Sequence, residues 1–109
     1  MSDNINRLIV EYFNGRLEAN IKATKLKMAY EQSEDDTQLK EYEFQKSTIE
    51  ELLHDLPPIQ LKALTIHEKE QCSWQDVSEK LGVKSSSLVY WKSKFIKQLR
   101  SHLSEHEAG

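Results

Sequence analysis

The sequence predicts an all-α protein, and three observations carry that prediction. Apolar residues recur every three or four positions through most of the chain. Nowhere does a strict apolar/polar alternation persist, as a half-buried strand requires. Three Gly and two Pro in 109 residues leave little room for the tight turns of an all-β fold. The expected organisation is an N-terminal long helix or helical hairpin over residues 1–56, a module of shorter helices over 57–104, and a frayed tail over 105–109.

The first apolar stripe is Ile5, Leu8, Ile9 and Tyr12, continued by Ala19, Ala23, Leu26 and Tyr30. It predicts one helix over residues 3–30, capped by Asp3 or Asn4. Asn14-Gly15 interrupts it; a helical Gly costs about 1 kcal/mol, which a long helix absorbs. The alternative is two shorter helices, because the same dipeptide is a turn signal. Residues 31–37 are polar and form the expected connection. The stripe Leu39, Tyr42, Ile49, Leu52, Leu53 and Leu56 predicts a helix over 37–56, with Thr48 and Glu51 fitting a capping box for a fresh start at 48. Pro57-Pro58 ends that segment and opens the next, since Pro suits the first helical turn.

Ile59, Leu61, Leu64 and Ile66 mark a helix fading near Cys72. Ser73 caps a short helix from Trp74 to Leu81, and Gly82 supplies the left-handed residue that ends it. Ser85 or Ser86 then caps a long helix with the stripe Leu88, Trp91, Phe95, Leu99 and Leu103. Trp91 and Phe95 are expected in the core, and Trp74 over a helix junction.

Charge divides the chain. Residues 1–56 carry −5 and residues 57–109 carry +2, and residues 80–103 hold five Lys and Arg100 with no acid. A basic face on an otherwise acidic chain fits a nucleic-acid contact. A helix, a short helix, a turn through Gly82 and a long basic helix are the parts of a helix-turn-helix. Gly permits the tight turn, and the long helix buries one stripe and offers the other to the major groove. Ser85, Ser86 and Ser87 place small polar groups and free N–H groups at the helix N-terminus, which favours phosphate. On the outward face Tyr90, Lys92, Lys94 and Lys97 can meet bases or backbone.

Leu56-Pro57-Pro58-Ile59-Gln60, then Ser73-Trp74-Gln75-Asp76-Val77-Ser78-Glu79-Lys80-Leu81-Gly82-Val83, then a serine-rich turn and Leu88 opening a basic helix, resemble region 4 of bacterial sigma factors. The resemblance covers about residues 49–103. With an acidic helical N-terminal part, the chain is also similar to phage and mobile-element transcriptional regulators of the ArpU and RinA type. These resemblances imply sequence-specific binding of double-stranded DNA. They carry base contact to Ser85, Ser86, Val89, Tyr90 and Lys94, and phosphate contact to Lys84, Lys92 and Lys97. Ile59, Gln60 and Leu61 stand where the family has its basic residue after the double proline. Serines stand where housekeeping sigma factors carry Arg and Glu, which implies a target other than the consensus −35 element.

Two further functions fit the same parts. A sigma-like module can dock on RNA polymerase or a sigma factor without reading DNA, and a phage small terminase subunit also joins a helix-turn-helix to an oligomerising helix. The N-terminal stripes are expected to support self-association, a dimer foremost. Catalysis is not expected: the acidic pairs Glu34-Asp35-Asp36 and Glu50-Glu51 lie in polar stretches, and Cys72 is alone. His102 and His106 have metal-ligand spacing but no third ligand nearby, so neither metal nor cofactor is expected. No apolar run is long enough for a membrane span and no secretory signal opens the chain, so a cytoplasmic location is expected.

Overall fold

A computed structural model of the chain describes the backbone of residues 3–108 and the side chains of residues 5–104. It is all-helical. The elements are α1 (Asp3–Phe13), α2 (Arg16–Glu31), α3 (Thr37–His54), α4 (Pro58–Lys69), α5 (Trp74–Leu81) and α6 (Ser85–Ala108), with no strand among the described residues. No helix among them is long and apolar enough to cross a membrane.

The single helix expected over 3–30 is two helices. Gly15 sits at φ 84°, in the left-handed region, and the Asn14 side-chain oxygen accepts the Arg16 N–H at 2.9 Å. That bond satisfies an N–H that a new helix start would otherwise leave open. The break changes which residues are buried. In α2 the buried positions are Leu17 and Ile21, while Ala19, Ala23, Leu26 and Tyr30 are all exposed. The expected stripe therefore exists, but it faces away from the core. The expected cap at Asp3 or Asn4 lies outside the described side chains.

The connection from α2 to α3 turns at Gln32, whose φ is 52°. Asp35 opens α3 by accepting from the Thr37 N–H at 3.1 Å and its hydroxyl at 2.7 Å. Those two bonds hold the Asp35 carboxyl below the usual carboxylate range. Helix α3 runs unbroken past Thr48, so the expected capping box is absent. The Thr48 hydroxyl instead donates to the Phe44 carbonyl one turn back, at 2.7 Å. Lys46 and Glu18 pair at 2.5 Å, tying α3 to α2, and the Tyr12 hydroxyl donates to Glu50 at 3.1 Å, tying α3 to α1. Partial burial and the Glu50 charge push the Tyr12 phenol up to about 12.

Pro58 opens α4 as expected, and the Ser73 hydroxyl caps α5 by accepting the Asp76 N–H at 3.1 Å. Serine does not cap α6: Ser85 is already helical, and the Ser87 and Leu88 N–H groups bond the Lys84 carbonyl. The backbone of α6 stays helical to Ala108, beyond the point where the expected tail begins.

Two apolar clusters hold these helices. The larger joins Leu8, Ile9, Leu17, Ile49, Leu53, Leu64, Phe95 and Leu99, and so draws on α1, α2, α3, α4 and α6. The smaller joins Ala63, Ile66, Val77 and Leu88 from α4, α5 and α6, with Leu81, Val83 and Trp91 against it. Trp74 packs on both and covers the junction, as expected. The molecule is elongated, 52 × 29 × 24 Å, with a radius of gyration of 15.8 Å, against about 13 Å for an average compact chain of this length.

Candidate nucleic-acid interface

The turn between α5 and α6 is organised by Gly82 and Ser78. Gly82 adopts φ 67° and ψ 33°, a conformation that costs a residue with a side chain roughly 1 kcal/mol or more. The Gly82 and Val83 N–H groups bond the Ser78 carbonyl at 2.9 and 3.3 Å, and the Ser78 hydroxyl donates to the Val83 carbonyl at 2.5 Å. Val83 is thereby turned onto the smaller cluster, and α6 begins two residues later.

The start of α5 is fixed to the end of α4 by His67. Its ring stacks on Trp74, with centroids 3.6 Å apart and planes 11° from parallel. Its Nδ1 lies 2.7 Å from the Cys72 carbonyl, which can only accept, so Nδ1 carries the proton. The neighbouring Glu68 carboxylate is 7% exposed and pairs with the Lys92 ammonium at 2.6 Å. This bridge joins α6 to α4. It also removes Lys92 from the set of free cations.

Helix α6 buries Leu88, Phe95 and Leu99 and half-buries Trp91. Helical spacing puts Ser86, Tyr90, Ser93 and Lys97 on the opposite face, at i, i+4, i+7 and i+11, and all four are exposed. Val89, Lys94 and Arg100 flank that stripe and are exposed too. Lys84 stands exposed at the turn, while Ser85 and Ser87 are half-buried at its edges. Helix geometry leaves the first N–H groups of α6 without intrahelical partners, at the positive end of the dipole.

Among the described residues, Lys84, Lys94, Lys97 and Arg100 have no ion-pair partner. Asp76 and Glu79 are exposed on α5, so the positive character belongs to α6 and not to the three-helix unit as a whole. The structure thus brings together Lys84, Ser86, Val89, Tyr90, Lys94 and Lys97 from the expected set and diverts Lys92. Ser93 and Arg100 join the face; continuing the Ser86–Tyr90 spacing by one more turn finds Ser93 in the sequence. Glu68 had no such signal, because its role depends on how α4 crosses α6. No group of three His, Cys, Asp or Glu side chains among the described residues could hold a metal, and His106 lies outside the described side chains.

A family model described as a protein of unknown function, DUF722, matches residues 1–36. The matched stretch is α1, α2 and the loop after them, and that description assigns no activity. No curated protein and no solved structure matches the chain.

Proposed function

We propose that the protein is a sequence-specific DNA-binding transcriptional regulator of the sigma region 4-like kind, similar to phage and mobile-element regulators. In this reading α5 and α6 act as the helix-turn-helix in the cytoplasm, and α6 is the helix that enters the major groove. The observation that carries the reading is the outward face of α6. Hydroxyl and aromatic groups at Ser86, Tyr90 and Ser93 line its centre, and Lys84, Lys94, Lys97 and Arg100, unpaired among the described residues, surround them. Groove readers divide their contacts in this way, with cations positioning the helix on phosphates and central side chains meeting base edges. The N-terminal turn of α6 adds N–H groups suited to a phosphate. The role is one of binding, with no catalytic step assigned to any residue.

Selection from a pool of random duplexes tests the reading, and an enriched motif is the expected result. With up to four phosphates neutralised per subunit, log K should fall against log salt with a slope of about −3 to −4. Replacing Lys94 and Lys97 together by Ala should weaken binding to every duplex and make that slope shallower by about 2. Salt-independent affinity, or unchanged affinity in the double variant, overturns α6 as the contact. Capture of RNA polymerase without duplex binding would replace the reading by a protein-docking one.

A further inference from the structure

Helix α2 is apolar on two opposite faces. Leu17 and Ile21 are buried against the rest of the molecule, with Thr24 and Met28 half-buried beneath the same face. Ala19, Ala23, Leu26 and Tyr30 lie on the far side, and Leu26 and Tyr30 are 73% and 91% exposed. A helix at the surface of a lone chain needs only one apolar stripe. Single exposed apolar residues are ordinary, but four aligned over three turns mark a surface made for contact.

We propose that a second copy of this chain covers that face, α2 against α2 in antiparallel order about a two-fold axis near residues 24 and 25. Three features of α2 select this occupant. The first is size: in that register Ala19 lies opposite the partner's Tyr30 and Ala23 opposite the partner's Leu26. Each large side chain meets a small one, and a two-fold axis repeats both matches. The second is charge. Arg16 and Glu31 lie on the same side of the stripe at opposite ends of the helix, Arg16 at its edge and Glu31 farther round beside Thr24, and have no ion-pair partner among the described residues. The antiparallel pair brings Arg16 to the partner's Glu31 twice. The third is the helix dipole. Arg16 at the N-terminus and Glu31 at the C-terminus each oppose the dipole of their own helix. An antiparallel neighbour sets each beside the end of the other helix that it complements.

The contact is one helix pair, so its area lies at the low end of specific interfaces, below roughly 1,200 Å². A contact of that class is weak, and the expected dissociation constant is about 1–50 μM. Light scattering on the full chain, from about 1 to 100 μM, should show monomer passing to dimer. Leu26→Glu should raise the dimer dissociation constant at least about tenfold while leaving far-UV circular dichroism unchanged, and melting unchanged at concentrations where the chain is monomeric. Arg16→Glu should weaken the dimer, and adding Glu31→Arg should restore it.

Cross-linking reads the direction of the pair, with Cys72→Ser as the background. Ala23→Cys should form an intermolecular disulfide. Tyr30→Cys should not, because the two copies of residue 30 stand about 16 Å apart along the axis. Tyr30→Cys combined with Ala19→Cys should cross-link. A chain that stays monomeric at about 100 μM overturns the proposal and leaves the face to a helix of another protein. A dimer indifferent to Leu26→Glu, failure of the double charge reversal to restore it, or cross-linking by Tyr30→Cys alone also overturns it. None of these measurements involves DNA, so the result is independent of the proposed function.

Discussion

Tyr90 and Trp91 are neighbours in sequence with opposite surroundings. Tyr90 is 63% exposed on the outward face of α6, and Trp91 is half-buried against the smaller apolar cluster. Tyr90→Ala should leave the melting temperature unchanged and lose about 1–3 kcal/mol of specific binding, with little change on random duplexes. Trp91→Ala should lower the melting temperature, at a cost of about 2–3 kcal/mol for a half-buried ring. The cations divide in the same way. Lys92→Ala leaves the Glu68 carboxylate buried without its partner, since that side chain is only 7% exposed. It should destabilise the fold by about 1–3 kcal/mol. Lys94→Ala removes an exposed cation that has no ion-pair partner among the described residues and should change stability by less than about 0.5 kcal/mol while weakening DNA binding. Equal melting temperatures for the two Lys variants would show that the Glu68 bridge does not hold α6.

At the scale of elements, the decisive position is Gly15. In a continuous helix, replacing a Gly by Ala stabilises by about 1 kcal/mol. Gly15 has φ 84°, with nothing within 4 Å of where a Cβ would stand, so the substitution is sterically open and conformationally strained. Gly15→Ala should therefore destabilise, by roughly 1 kcal/mol. The sign of the change in thermal or urea unfolding separates two helices from one. Around this break, Tyr12 reaches Glu50 and Lys46 reaches Glu18, so α1 and α2 are each tied to α3 by their own polar contact.

For the whole molecule, the boundary between residues 56 and 57 is a boundary of turns and not of cores. Pro57 and Pro58 do separate α3 from α4, yet Leu64, Phe95 and Leu99 are buried together with Leu8, Ile9, Leu17, Ile49 and Leu53. A fragment of residues 57–104 would expose one side of Phe95 and Leu99 and retain only the smaller cluster around Val77 and Leu88. Such a fragment should keep helical far-UV circular dichroism but lose the dispersed side-chain NMR signals of a packed core. The full chain should unfold in one transition seen alike by circular dichroism and Trp fluorescence. Two separated transitions would show that the N-terminal helices and the α4–α6 unit fold independently.

The sequence by itself determined the helical class, the Pro57-Pro58 boundary, the Ser73 cap, the Gly82 turn and the buried stripe of α6. Each of these is set by local chemistry: a fixed proline φ, a hydroxyl three residues from an N–H, a residue without a Cβ, a spacing of three and four. Tyr90 and Lys97 were legible on the outward face for the same reason, since a helix turns by a constant angle. Tertiary structure alone decided which of the two apolar faces of α2 is buried. Both have helical spacing, and the choice follows from the helix break at Asn14-Gly15 and the packing of Leu17 and Ile21 against α1 and α3. It also decided that Lys92 pairs with Glu68 while Lys94, two residues on, stays free. That assignment depends on the crossing of α4 and α6, which brings together residues 24 positions apart, and no local spacing encodes a crossing angle.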